Sequence, residues 1–345
     1  MTDFPRISFG MIVLNSEPFV RYNLRALYPF AHEIIVVEGA VQSAAPLATP
    51  DGHSRDGTLE TLHRFKAEED PEDKLLIITH NGLWDEKDAM SQAYAERATG
   101  DYLWQVDSDE FYRAEDMQAV IDMLRVDPSI TAVSFKMRTF WGSPNYTVDS
   151  WFLRRGNDIY HRLFKWGPGC RYVTHRPPTV HDERGRDLRS LHWINGPALA
   201  AKGIFLYHYS LLLPKQVLEK STYYGRAFPE ISGDVDWAEN GFMQLKRPFH
   251  VHNVYRYPGW LMRYSGDHPA QIRQMWADLQ AGQHPFYLRP VDDVERLLDS
   301  WWYAPACAVV RWLDYPARWL LRLRRLTRRI PQKARYELRK RDFAK

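Results

Sequence analysis

Residues 100–110 read Gly-Asp-Tyr-Leu-Trp-Gln-Val-Asp-Ser-Asp-Glu, an apolar segment that ends in three carboxylates within four positions. The apolar part predicts a buried strand at 102–106, with Asp107, Ser108, Asp109 and Glu110 just beyond its carboxyl end. Carboxylates two positions apart can both reach one hard divalent cation, which prefers oxygen ligands. Asp and Ser are also typical of turns, so these residues alone do not distinguish a metal site from a turn.

The sequence on either side of this segment predicts the fold class. Strand-length apolar runs at 7–14, 33–38 and 75–79 alternate with helical patterns at 19–30, 58–67 and 85–99. A further helix is predicted at 116–125 and a further strand at 132–137. Alternation with short connections is typical of a mainly parallel sheet covered on both faces. Ligands bind such sheets beyond the carboxyl ends of the strands, where Asn15, Glu38 and Asp107 are expected.

Four short motifs carry a family resemblance. They are residues 13–17 (Val-Leu-Asn-Ser-Glu), 35–38 (Ile-Val-Val-Glu), 54–58 (Ser-Arg-Asp-Gly-Thr) and 100–110. In this order and spacing they resemble family 2-like glycosyltransferases with the GT-A fold. The resemblance implies an α/β, Rossmann-like fold, whose mixed, mainly parallel sheet is flanked by helices, and a helical C-terminal extension follows it.

The same resemblance implies a donor site. A nucleotide-sugar would bind with its diphosphate bridged to Asp109 through Mn²⁺ or Mg²⁺, and Asp107 would lie by the ribose or the metal-bound waters. Glu38 occupies the position that contacts the base. The other implied donor-site residues are Leu14, Asn15, Glu17, Asp56, Lys87 and Ser108. Two alternatives remain open: Asp56 also suits a cap on the helix from Thr58, and Lys87 also suits a solvated helix surface. The loop 39–53 is longer than the family pattern.

The second half of the chain offers a general base and a further metal ligand. Arg162-Leu-Phe and Val180-His-Asp resemble paired motifs of some relatives, which makes Asp182 the expected base, with Glu183 and Glu110 as alternates. An inverting transfer needs such a group to take the proton of the acceptor hydroxyl. His208 is expected to join Asp107 and Asp109 at the metal, because relatives often supply a late histidine. Asp182 could equally be an exposed loop acid, and His208 a core histidine.

The charge distribution is uneven. Residues 311–345 contain 13 Lys and Arg against three acids, whereas the whole chain carries a net charge of +3. From Trp312 to Ile330, apolar residues recur at helical spacing with arginines between them, which predicts a basic amphipathic helix suited to an anionic membrane surface. The alternative is a helix packed on the catalytic domain with a solvated basic face. No nucleic-acid-binding module accompanies the charge, which disfavours nucleic acid as a partner.

The cysteine content, the apolar runs and the first residues indicate where in the cell the protein is expected. Two cysteines, Cys170 and Cys307, give no disulfide framework. No run approaches the roughly 18–20 apolar residues of a membrane span, and residues 1–6 do not resemble a secretory signal. The expected location is therefore the cytoplasm, with the basic tail on the inner membrane surface.

The residues and the resemblance together predict a metal-dependent glycosyltransferase that moves a sugar from a nucleotide-sugar to a glycan, lipid-linked or other hydroxyl acceptor in envelope or lipid-linked glycan synthesis. The resemblance implies that the transfer proceeds with inversion. The expected domains are a catalytic domain at 1–215, an aromatic-rich helical extension at 216–310 and a basic tail at 311–345. A sugar-nucleotidyltransferase is disfavoured because residues 14–18 (Leu-Asn-Ser-Glu-Pro) are not a basic, glycine-rich loop. A non-catalytic glycan- or membrane-binding protein is disfavoured because the acidic pair is present.

Overall fold

The computed structural model of the chain describes residues 4–154, 159–227, 237–253 and 257–327. Its sheet has a parallel centre of four strands in the order β3-β2-β1-β4. These strands are β1 (Ile7–Val13), β2 (Glu33–Glu38), β3 (Leu75–Ile78) and β4 (Tyr102–Gln105). The register pairs Val13 with Glu38 and Gly10 with Gln105, so the residues that follow β1, β2 and β4 emerge at one edge. The predicted α/β fold is confirmed.

The sheet becomes mixed beyond β4. Strand β8 (Ile159–Lys165) is antiparallel to β4, and β6 (Ala132–Trp141) is antiparallel to β8. The sheet continues through β7 (Ser143–Ser150) to β13 (Gly259–Arg263). Strand β12 (Leu206–Leu211) runs parallel to β6 and antiparallel to the short β5 (Glu110–Phe111), and β11 (Trp193–Ile194) also pairs with β6. A separate hairpin contains β9 (Arg171–His175) and β10 (Pro178–His181). The pairing of β5 with β12 brings the second half of the chain to the end of β4.

Helices cover both faces of the sheet. Alternate residues of β2 point to opposite sides, with Ile34 and Val36 in one hydrophobic cluster and Ile35 and Val37 in the other. The first cluster also takes α1 (Phe19–Leu27), α2 (Thr58–Glu68), α4 (Ala114–Val126) and α5 (Gly196–Ala200). The second takes α3 (Lys87–Ala95) and the β9–β10 hairpin. Gly10 of β1 lies under the ring of Tyr94, where a Cβ atom would collide, so α3 lies directly against the sheet.

The later part of the chain is mainly helical. The elements are α6 (Pro214–Ala227), a π-helix (Trp237–Met243), α7 (Ala270–Gln280), α8 (Asp292–Asp299) and α9 (Tyr303–Thr327). The chain divides into two compact units, Met1–Val294 and Glu295–Lys345. The functional division predicted at residues 215 and 310 stays a prediction, because one compact unit can hold more than one functional part.

Helix α9 contains the start of the predicted basic tail. The predicted apolar and basic positions from residue 318 onward lie outside the part of the chain whose side chains are described. Among the described residues, no helix combines the length and the apolar character needed to cross a bilayer.

Candidate functional site

The acidic segment forms a tight turn between β4 and β5, in which the Glu110 N–H donates to the Asp107 carbonyl at 2.9 Å. The turn is held from outside by Asn23 of α1, which is 1% exposed. The Asn23 amide donates to the carbonyl oxygens of Ser108 (3.1 Å) and Glu110 (2.7 Å), with a longer contact of 3.4 Å to that of Asp107. One buried side chain therefore fixes the backbone that carries both aspartates.

Two of the acids, Glu110 and Asp107, are paired with Arg162 of β8. Arg162 is 5% exposed and donates through both Nε and Nη2 to the fully buried Glu110, with a further contact from Nη2 to Asp107 at 3.4 Å. Burial raises the pKa of Glu110 against the opposing charge of Arg162. For Asp107, burial is outweighed by the charge of Arg162, and the pKa of Asp107 is lowered. Asp107 is therefore a carboxylate at neutral pH.

Asp109 has a different set of partners. The pairing of His208 with Glu110 in the β5–β12 ladder places His208 Nε2 at 3.6 Å from Asp109 Oδ1. The second oxygen, Oδ2, accepts from Gln216 Nε2 at 2.9 Å and from the Lys220 ammonium, both on α6. Burial opposes ionisation, but the charge of Lys220 and the interaction with His208 outweigh it and hold the pKa of Asp109 below its usual value. Asp109 therefore carries a negative charge although it is only 5% exposed.

Asp109 and His208 fit a divalent cation in part. Ligands of an octahedral ion lie about 2.0–2.1 Å from it, which places adjacent ligand atoms about 3 Å apart, close to the 3.6 Å seen here. In the described part of the chain, no three or more His, Cys, Asp or Glu side chains are arranged so that they could hold a metal ion. A metal held here would therefore take its remaining ligands from substrate oxygens and water.

A cavity of about 810 Å³ opens at this edge of the sheet. Nine of the thirteen predicted site residues line it: Leu14, Asn15, Glu17, Lys87, Asp107, Ser108, Asp109, Glu110 and His208. The longer loop also contributes, through Val41, Ala44 and Leu47 around a 3-10 helix (Gln42–Leu47). The structure thus brings most of the predicted donor and metal residues together around one space.

Glu38 and Asp56 lie behind this lining. Glu38 is fully buried, and its two oxygens accept from the Ser54 N–H at 2.7 Å and contact His53 Nδ1 at 2.8 Å. The hydrogen bond with Glu38 raises the pKa of His53. Asp56 accepts from the N–H groups of Glu17 (3.0 Å) and Thr58 (3.1 Å), so it joins the start of α2 to the loop after β1. Both carboxylates support the wall of the cavity rather than line it.

Asp182 and Glu183 also lie outside the cavity lining. The Asp182 carboxylate closes its own turn, accepting from the N–H of Arg186 at 2.8 Å and from Arg186 Nε at 2.8 Å. The backbone bond from Arg186 lowers the pKa of Asp182. Glu183 is exposed. Of the three acids predicted as the general base, Glu110 alone lines the cavity.

Helix α6 supplies site residues that the sequence did not predict. Gln216 and Lys220 stand one helical turn apart and both reach Asp109, and Lys87 of α3 lies 4.5 Å from the ring centroid of Tyr223. The spacing of Gln216 and Lys220 was readable as a shared helix face. Nothing in the local sequence says that this face would meet a turn more than a hundred residues earlier.

Comparison with protein families finds a match over part of the chain that includes some of this site. Residues 50–176 match the family model described as "Glycosyl transferase family 2". The matched segment contains Asp56, Lys87 and the turn at 107–110, and it confirms the resemblance drawn from the sequence. A comparison with curated proteins finds no match.

Comparison with solved structures gives weaker likenesses. Residues 1–349 of S. aureus TarS in complex with UDP match at 18% identity and a TM-score of 0.30, over 39% of this chain and 36% of that chain. The complex of the same protein with UDP-GlcNAc matches at 14% identity and a TM-score of 0.34, over 46% of this chain and 45% of that chain. Glucosyl-3-phosphoglycerate synthase from Mycobacterium tuberculosis in complex with Mn²⁺, UDP and phosphoglyceric acid matches at 15% identity and a TM-score of 0.28. The match covers 40% of this chain and 43% of that chain. This chain spans less than half of each, and similarity this low carries no argument about activity.

Proposed function

We propose that this chain, a glycosyltransferase whose residues 50–176 match glycosyl transferase family 2, transfers a sugar from a nucleotide-sugar to a hydroxyl acceptor with the help of Mn²⁺ or Mg²⁺. The acceptor class is a glycan or a lipid-linked hydroxyl, and the transfer proceeds with inversion. The observation that carries the proposal is the buried Asp109 carboxyl beside His208, at the cavity edge where the parallel strands end.

The roles of the cavity residues follow from the reaction. The bond from the anomeric carbon to the donor diphosphate breaks, the acceptor oxygen bonds to that carbon from the opposite face, and the acceptor proton passes to a carboxylate. Asp109 and His208 would hold a divalent cation, which would supply Lewis-acid stabilisation of the charge on the leaving diphosphate. Asp107 and Ser108 bind the ribose side of the donor, while Leu14, Asn15 and Glu17 contact the nucleoside and Lys87 the phosphates.

The proton acceptor is assigned to Glu110. Among the acids predicted for this role it alone lines the cavity, and burial raises its pKa. Arg162 keeps this carboxylate oriented through two donors. Asp182 and Glu183, which lie outside the lining, are the alternatives to be tested after it.

The sharpest test replaces Asp109. Wild type is titrated with UDP-, GDP-, dTDP- and CMP-sugars in the presence of Mn²⁺, followed by thermal shift and by release of nucleoside diphosphate. We expect Asp109→Asn to abolish divalent-dependent release and to keep the melting transition. The matched control is Asp101→Asn, at the opposite end of β4, where an exposed carboxylate pairs with Arg6 at 3.0 Å. This control should keep full activity.

Two results would contradict the proposal. Absence of binding of any nucleoside diphosphate or nucleotide-sugar with Mn²⁺ or Mg²⁺ would leave a non-catalytic role on this fold. Release of pyrophosphate, with a sugar 1-phosphate and a nucleoside triphosphate as substrates, would indicate a sugar-nucleotidyltransferase.

We propose further that the C-terminal region attaches the enzyme to an anionic membrane surface as a peripheral protein on the inner face. The support is the basic composition of residues 311–345 together with exposed aromatic rings: Trp301 is 87% exposed, Trp312 69% and Tyr315 81%. Aromatic rings suit the interface between water and lipid, and arginines suit anionic headgroups.

A further inference from the structure

Helix α6 presents two distinct pairs of contacts to the cavity region. Lys215 lies 3.4 Å from Asp56 Oδ2 and 3.8 Å from Glu219. Gln216, the next residue, and Lys220, just over one turn further along, both reach Asp109. The helix therefore carries one lysine beside Asp56, outside the cavity lining, and another at the proposed metal ligand.

Lys220 and a metal would share a single carboxylate. The ammonium lies on Oδ2 of Asp109, and His208 faces Oδ1 of the same group. Among the described side chains, Asp109 and His208 are the pair that fits the ion, so the cation and the ammonium would stand on either side of one carboxylate. Two positive charges at that separation repel strongly where the surroundings are mostly protein. Asp109 therefore cannot satisfy both at once without loss of binding energy.

A displaced Lys220 has a natural second partner. Its side chain is 31% exposed, and it lines the same cavity as Lys87 and Asp109. A nucleoside diphosphate bound to the metal would bring negative oxygens beside Asp109, and an ammonium on a flexible stem is suited to phosphate as a point charge.

We propose that Lys220 is an internal counter-ion that competes with the divalent cation for Asp109 and moves to the donor diphosphate when the cation binds. The inference rests on the proposed function in taking Asp109 as the metal ligand. It makes the cation and the nucleoside diphosphate bind cooperatively, because each favours the arrangement in which Lys220 has left Asp109.

The competition predicts effects of opposite sign from one substitution. Lys220→Met in the full chain should bind Mn²⁺ about tenfold more tightly than wild type without nucleotide, the factor that corresponds to a charge-assisted hydrogen bond of about 1.4 kcal/mol. With Mn²⁺ saturating, the same variant should bind UDP or GDP at least fivefold more weakly. Free Mn²⁺ is measured by electron paramagnetic resonance and nucleotide binding by calorimetry. UDP and GDP are both used, and the one that wild type binds more tightly is compared.

Lys215→Met is the matched control, since it removes a lysine from the same helix that contacts Asp56 and Glu219 instead of Asp109. Both of its affinities should equal those of wild type. A melting curve of each variant establishes that it is folded.

Unchanged or weaker Mn²⁺ binding by folded Lys220→Met would overturn the competition. Tighter Mn²⁺ binding with unchanged nucleotide affinity would overturn the transfer of Lys220 to the diphosphate. If no variant binds Mn²⁺ yet sugar is transferred in the presence of a chelator, this inference fails and glycosyl transfer stands. If Mn²⁺ binding tightens as expected but no nucleotide or nucleotide-sugar binds, the competition stands and the proposed function fails.

Discussion

At the scale of single residues, the geometry of the acidic turn depends on an amide that lies outside it. Asn23 donates to the carbonyl oxygens of Ser108 and Glu110 and approaches that of Asp107, all within a buried environment. Removal of a buried donor leaves its acceptors without partners, which costs about 1–3 kcal/mol. The turn would then be free to rotate the two aspartates away from each other.

We therefore expect Asn23→Leu, which has a similar volume, to lower the free energy of unfolding by about 1–3 kcal/mol and to weaken Mn²⁺ binding by at least threefold. Urea unfolding and a Mn²⁺ titration measure the two effects. Asn195→Ala is the comparison: it removes a cap at the start of α5, where Asn195 accepts from the Ala198 N–H at 3.0 Å, and should cost about 1 kcal/mol without any change in Mn²⁺ affinity. Equal Mn²⁺ affinity in Asn23→Leu and wild type would show that the turn keeps its shape unaided.

Single residues also show how far the sequence could predict the site. The positions of Asn15 and Asp107 at one edge of the sheet could be predicted, because the carboxyl ends of parallel strands meet there. Glu38 was correctly placed at the end of β2, but its side chain turns to His53 and Ser54. Position along a strand follows from the chain pattern, whereas the partner of a side chain depends on where a distant loop packs.

At the scale of elements, the regular alternation of β1 to β4 with α1 to α3 was readable, because each element has its own hydrophobic period. The region from β7 to β12 was not. Its strands are short or pair with sequentially distant partners, such as β12 with both β5 and β6. Helix α6 was missed as a site element for the same reason, since its amphipathic pattern does not reveal which surface it meets.

Helix α9 and the residues that follow it are expected to bind an anionic membrane surface through their arginines. Its sequence and the following residues carry arginines at 322, 325, 328 and 329, and replacement of all four by Gln in the full chain removes charge without shortening the helix. Each basic residue near an anionic surface contributes about 1 kcal/mol, so binding to vesicles containing phosphatidylserine should weaken at least tenfold. Vesicle co-sedimentation measures this, with phosphatidylcholine vesicles as the control.

The same experiment distinguishes the alternative interpretation of the tail. If these arginines only form the solvated face of a helix that packs on the protein, wild type and the variant with four substitutions should sediment equally with both kinds of vesicle. Wild-type binding that persists unchanged in high salt would also contradict an electrostatic attachment.

At the scale of the whole molecule, two buried and two half-buried histidines should make the large N-terminal unit sensitive to acid. Burial lowers the pKa of His161 and His268 to about 4 and that of His175 and His252 to about 3. Three of these rings contact a hydroxyl group through Nδ1: His161 contacts Ser134, His268 contacts Tyr209 and His175 contacts Ser91. These four histidines are therefore neutral in the folded protein over the whole range in which an unfolded histidine, with a pKa near 6.5, takes up a proton.

The sign of the pH effect follows from proton binding. Between about pH 6.5 and pH 4 the unfolded chain binds protons at these positions that the folded chain does not, so the free energy of unfolding must fall as the pH falls. One pKa unit corresponds to about 1.4 kcal/mol. With partial relaxation around each ring, the four histidines together should lower the free energy of unfolding by about 4 kcal/mol between pH 7.5 and pH 5. His53 acts in the opposite direction, because its raised pKa favours the folded state at the lower pH, and it offsets a small part.

Guanidinium unfolding followed by tryptophan fluorescence at pH 7.5, 6.0 and 5.0 tests this expectation. His161→Gln combined with His268→Gln should flatten the dependence by about two protons, while the turn at 107–110 and its ligands are left intact. A free energy of unfolding that stays constant from pH 7.5 to pH 5 would show that these rings accept protons in the folded state. In that case the hydroxyl partners, which can also act as acceptors, would have to accommodate the charged rings.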